Sequence, residues 1–166
     1  VGVCAVGTQA LPATNHRPGK PCRLPIAGRS SGWTVITRIR SGSRNGEIIL
    51  NILLLIEAGQ IRLLSSEISL YEAEKISNTF RREFTLKVLS ERSGFTLLND
   101  AIEERSRLFT GFGIKPIDAL HLASAEELKA DFFCTCDDKL LKKARNVGDL
   151  GVKVVSTFEL LQEMEK

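Results

Sequence analysis

Between Ile114 and Ala144 the chain reads IKPIDALHLASAEELKADFFCTCDDKLLKKA, and few folds accommodate that order of residues. Pro116 suits a first helical turn, where its missing N–H costs nothing, and Ile117, Leu120, Leu122, Ala125 and Leu128 recur at roughly helical spacing. The spacing predicts a helix over 116–129. The short, apolar and aromatic run Asp131 to Thr135 reads as a strand covered on both faces. Asp137-Asp138 then opens a second helix, Lys139 to Arg145. Helix, buried strand and helix joined by short links form the repeating unit of a parallel α/β sheet, and here the strand ends in carboxylates.

In such a sheet ligands sit just beyond the carboxyl ends of the strands, which singles out Asp137. Asp118 lies in the first turn of the preceding helix, on the face that carries Leu122 and Ala125 and so looks inward. Glu72 follows the strand predicted over Ile61 to Ser65 and belongs to the same rim if the sheet is parallel. Each acid alone has a plainer explanation. Asp118 and Asp137 favour the positive ends of their helices, an effect worth about 0.3–1 kcal/mol, and Ser69-Leu70-Tyr71-Glu72 fits a capping box. Together they say more. Carboxylates from separate strand ends repel unless a cation neutralises them, and an all-oxygen set suits Mg²⁺ or Mn²⁺. Such an ion lowers the pKa of a bound water and stabilises charge on phosphorus oxygens, which is metal-assisted nuclease chemistry. His121, three residues after Asp118, is read as a supporting or core histidine rather than a general base. No Ser or Cys nucleophile with a base stands out, and no Gly-rich phosphate loop occurs.

At 166 residues with 43% apolar content the chain has material for one core. No apolar run approaches a membrane span and no charged leader precedes an apolar stretch, so the expectation is a cytoplasmic protein. Cys4, Cys22, Cys134 and Cys136 lack the spacing of a disulfide frame and read as small buried hydrophobes. Charge is divided unevenly. Residues 1–46 hold seven Lys or Arg and no acid, whereas 47–166 hold sixteen against twenty acids, a net −4. The basic residues of 1–46 are scattered singly and do not form a nucleic-acid patch.

That division sets the expected domain boundary. Residues 1–46 form an atypical basic segment, rich in Gly, Ser, Pro and Arg, in which only Val3 to Val6 and Trp33 to Ile39 resemble strands. They read as a flexible or disordered arm, or as an N-terminus translated in a frame different from the body. From Glu47 to the C-terminus the pattern is orderly: a helix to Ala58 stopped by Gly59, the strand Ile61 to Ser65, and a helix capped by Ser66 that continues to Ile76. Asn78 caps a helix through Leu89, Phe95 to Leu98 is a small strand or turn, and Asp100 with Glu103 starts a helix to Phe109. A last strand, Val152 to Val155, and a last helix, Thr157 to Met164, close the chain.

Three of these segments share a likeness. Ser66 to Glu72 (SEISLYE) after its strand, Ile117 to Ala125 (IDALHLASA) and Asp131 to Asp137 (DFFCTCD) together resemble the PIN-domain family, whose bacterial members include VapC-type toxins. The likeness covers about Glu47 to the C-terminus. It implies a three-layer α/β/α sandwich with a parallel sheet and Mg²⁺- or Mn²⁺-dependent endoribonuclease activity on RNA. Glu72, Asp118 and Asp137 would be the acidic, metal-binding positions, with Thr135 a supporting hydroxyl and Asp138 a neighbouring charge. An antitoxin-like protein and a second copy of the chain are the implied partners. One element departs from the pattern: the family begins with a strand ending in Asp-Thr, whereas no acid precedes Glu47. Trp33 to Ile39 and Val3 to Val6 are the segments available for that slot, and neither brings a carboxylate. The expectation is the family's architecture with impaired or no activity, its rival a non-catalytic module that binds RNA or an antitoxin-like protein. A frame difference predicts a hidden apolar-apolar-Asp-Thr strand; translating the overlapping nucleotides in the other two frames checks it, and its absence from both rejects the idea.

Overall fold

Trp33 to Arg38 forms the middle of the sheet. In the computed structural model, which describes residues 33–38 and 46–165, this segment is β1. It is followed by α1 (Gly46–Glu57), β2 (Ile61–Ser66), α2 (Glu67–Glu74), α3 (Thr79–Ser90), β3 (Gly94–Thr96) and α4 (Asp100–Gly111). Then come α5 (Pro116–Glu127), β4 (Phe132–Thr135), α6 (Asp138–Ala144), β5 (Lys153–Val155) and α7 (Thr157–Met164). The strand order is β3-β2-β1-β4-β5, and every pairing is parallel.

The basic segment 1–46 therefore contributes the strand on which both halves of the sheet are built. Val35 and Ile36 are each 0% exposed, as expected of a parallel strand covered on both faces. Their registers hold the neighbours in place: Val35 pairs with Leu63 and Phe132, Ile36 with Leu64 and Phe133. The second strand-like segment, Val3 to Val6, lies outside the described residues.

Period-two alternation sends the strand side chains to two cores. Ile36, Leu64, Phe133 and Val154 pack with Phe109 of α4, Leu122 of α5 and Leu140 of α6. Val35, Phe132, Cys134 and Val155 pack on the other face with Ile52 of α1 and Leu160 of α7. The result is the expected three-layer sandwich. Burial pushes the Cys134 thiol up to about 12, so this cysteine is a small core residue and not a nucleophile.

Several boundaries differ from the sequence reading for local reasons. The first helix ends at Glu57 because Gly59 adopts φ +70°. The helix after β2 stops at Glu74, short of Ile76, and Ser66 makes no side-chain cap; its Oγ lies 3.2 Å from Ser69 Oγ instead. The small strand occupies Gly94–Thr96 and not Phe95 to Leu98. At α4 the cap is Asn99, whose Oδ1 accepts from Ile102 N at 2.9 Å, with Asp100 just inside the helix.

The helix that carries Asp118 and His121 is anchored at its far end. Arg105 of α4 donates to Glu126 Oε2 at 2.7 Å, and Glu126 Oε1 accepts from Gly151 N at 2.6 Å. One carboxylate thus ties α5 to α4 and to the approach of β5, which limits sliding of α5 along the sheet.

At the other edge, Ser156 and Glu159 form a capping box at the start of α7. Arg145 Nη2 donates to both Glu159 oxygens, at 2.7 and 2.6 Å. Arg145, then the Ser156 backbone, hold this carboxyl down from its ordinary 4.5 to about 2. A folded-state pKa below the unfolded one adds stability above pH 4.5 that is lost as pH falls toward 2. The pair is partly solvated, so about 1 kcal/mol is the expected size. Urea melts of wild type and Glu159→Gln should therefore differ by about that much at neutral pH and converge on acidification through this window.

Candidate active site

The strands β1, β2 and β4 end side by side in Arg38, Ser66 and Thr135, with Arg38 in register with Thr135. Two residues past Thr135, Asp137 caps α6: its Oδ1 accepts from Lys139 N at 2.9 Å and Leu140 N at 3.1 Å. This is the favoured role of Asp at an N-cap. Thr135 supports the turn, since its Oγ1 accepts the Asp137 N–H at 3.1 Å.

Asp118 sits where its spacing predicts, in the first turn of α5, and is 3% exposed. Leu122 and Ala125 on the same face are 0% exposed, so the inward orientation is real. One turn beyond Asp118, His121 is almost wholly buried, and its Nε2 lies 2.7 Å from Glu72 Oε2. Its Nδ1 is buried with no hydrogen-bond partner among the described residues. The tautomer that fits carries the proton on Nε2 and donates it to the carboxylate, a charge-assisted bond.

Glu72 is thus a partner of His121, 49 residues away in sequence, and not the closing residue of a capping box with Ser69. Sequence reasoning did not find this bond. The available signal was a histidine on the inward face of a helix, one turn from a buried acid. The contact between α2 and α5 joins Glu72 to the helix that bears Asp118 and His121, while Asp137 stands at the end of β4 as the cap of α6.

Whether these residues suit a divalent ion depends on type and on placement. The type is right, since carboxylate oxygens are the ligands Mg²⁺ and Mn²⁺ prefer. By placement, Glu72 lies on α2, Asp118 in the first turn of α5 and Asp137 at the end of β4. Among the described residues no three His, Cys, Asp or Glu side chains gather closely enough to hold an ion. Glu72 faces His121, Asp137 Oδ1 is held by two backbone amides, and β1 ends in Thr37-Arg38 without an acid.

The family model for the PIN domain matches residues 34–146. The chain belongs to the PIN domain family. The match begins inside β1 and ends just beyond α6, so it contains Glu72, Asp118 and Asp137. Among solved structures, the crystal structure of PAE2754 from Pyrobaculum aerophilum is similar, with 15% identity and a TM-score of 0.47 over 81% of this chain and 97% of that one. No curated protein matches the chain. The PIN fold is a nuclease fold that generally uses divalent metal ions and acts on RNA. In the described part of this PIN domain no helix is long and apolar enough to cross a membrane.

The His121–Glu72 bond is open to direct measurement. A hydrogen bond to a charged group is worth about 1.5–3 kcal/mol when sheltered. Glu72 is about one-third exposed, so a coupling energy of about 1 kcal/mol is expected here. A double-mutant cycle of His121→Leu and Glu72→Leu, read by urea denaturation, gives that coupling. Strict additivity would mean that the two side chains do not interact.

Proposed function

We propose that this PIN domain is an endoribonuclease in which Glu72, Asp118 and Asp137 are the catalytic and metal-binding acids, Mg²⁺ or Mn²⁺ the ion and RNA the substrate, with turnover strongly reduced. The observation that carries the reading is the burial of Asp118 in the first turn of α5, one turn from the His121–Glu72 pair. The reduction follows from β1, where the family places its first acid and this chain has none.

A second reading, a non-catalytic PIN module that binds RNA or an antitoxin-like protein, is favoured by the same missing acid. The resemblance extends the first reading to a toxin of the VapC type, paired with an antitoxin, self-associating and cytoplasmic. The support for those finer assignments is the three motif segments. A divalent-ion titration of RNA cleavage separates the two main readings.

On the nuclease reading, Mn²⁺ or Mg²⁺ supports slow cleavage of single-stranded RNA, and Asp118→Asn removes it. Placing an acid at the position assigned by the apolar-apolar-Asp-Thr pattern, Thr37→Asp, raises the rate by roughly 10²-fold, the usual scale for one well-placed charged or polar group at a reacting centre. Cleavage that survives Asp118→Asn, or bound RNA that stays intact at every ion concentration with both Thr and Asp at 37, rejects this reading.

A further inference from the structure

Helix α3 turns toward solvent an aromatic stripe that the core does not use. Phe80 is 80% exposed and Phe84 47% exposed. With Lys87 they stand at i, i+4 and i+7, which places them along one side of the helix. Thr85 and Leu89, on the opposite side, are buried. Neighbouring exposed rings on one helix face are unusual for a surface without a partner.

The stripe is cationic as well as aromatic. Thr79–Ser90 carries Arg81, Arg82 and Lys87 against the single acid Glu83, on a body that is net negative over 47–166. Arg82 is half-buried and donates to Ile76 O at 3.4 Å, which leaves Arg81 and Lys87 exposed beside the rings. On the preceding helix Tyr71 is 46% exposed, with Lys75 Nζ 4.0 Å from its ring centroid.

Helix α3 packs against α2. Helix α3 follows α2, the helix of Glu72, after residues 75–78. Its last turn leads to Gly94, which pairs with Leu64 partway along β2 and not at its end. Helix α3 thus links the helix of Glu72 to the edge strand β3.

We propose that the outer face of α3 is a platform for unpaired RNA, with bases stacked on Phe80 and Phe84 and phosphates drawn to Arg81 and Lys87. The inference rests on the RNA reading above and adds where the strand lies and that it is single-stranded. Ring faces accept any base, and flanking cations hold the backbone. Base faces in a duplex are already stacked on one another and are out of reach of the rings. A protein partner fits less well, because the exposed residues between the rings are Arg81 and Glu83 and not further apolar side chains.

The test is fluorescence anisotropy with a labelled single-stranded RNA of about 12 nucleotides, within the length such surfaces bind, in EDTA so that the strand stays intact. Phe80→Ala and Phe84→Ala should each weaken binding about tenfold with unchanged thermal midpoints, since both rings are exposed. Phe84→Leu should weaken it nearly as much, because leucine keeps apolar area but has no ring face. The same sequence as a duplex should bind more weakly than the single strand. Equal affinity of wild type and ring variants overturns the platform. So does conversion of a wild-type dimer to monomer by the alanine variants with RNA affinity unchanged, which makes the stripe a face between copies. Absence of any RNA binding by the wild type removes the platform, while the RNA reading itself is decided by the divalent-ion titration of cleavage. Asp118-dependent cleavage with no effect of the rings removes the platform alone.

Discussion

The structure depends on two buried side chains of one short strand. Val35 and Ile36 point to opposite faces of β1, and each is 0% exposed. Between them they join the two cores to a single sheet, because β2 and β4 both hydrogen-bond to β1 and not to each other. Without this strand two parallel strands in the centre of the molecule would present open edges, with backbone groups unpaired in an apolar setting. The demand on β1 is modest in chemical terms. It asks for apolar residues at two adjacent positions and for unbroken extended backbone, which Thr34, Thr37 and Arg38 also permit.

That modest demand lets the central strand stand without an acid. The scaffold needs Val35 and Ile36; the proposed nuclease chemistry would gain from an acid at the end of the same strand. Thr37 serves the first and not the second. The remaining carboxylates are not left as bare like charges: Glu72 takes a proton-bearing nitrogen from His121, and Asp137 takes two amides at the start of α6. Chain donors thus supply part of the stabilisation that an ion would otherwise give, and they do so with bonds of ordinary length and known modest net value.

Much of this was legible in the order of residues, and what was not has physical causes. The unit from Pro116 to Ala144 was clear because Pro at N1, helical spacing and a short aromatic strand all point the same way. Asp118 was placed correctly on an inward face because its neighbours Leu122 and Ala125 define that face. β1 was hard to see because a strand buried on both sides loses alternation, and because Gly, Ser and Arg surround it. The helix starts were blurred where two capping residues stand together, as with Asn99 and Asp100. The bond between Glu72 and His121 leaves no local trace at all, since the fold alone brings α2 to α5; Glu72 also had a plausible local partner in Ser69, which here bonds Ser66 instead.

The consequence for this chain is a difference in how its rim residues are held. The acids of α2 and the β4–α6 turn differ in what holds them. Glu72 and Asp137 are tied into the fold by hydrogen bonds that serve helix packing and helix capping whether or not an ion is present. A carboxylate at the end of β1 would have no such second use, since β1 is secured by its apolar pair and its ladder. The end of β1 is therefore a position where the fold tolerates replacement, with β2 and β4 kept in register by the rest of the strand.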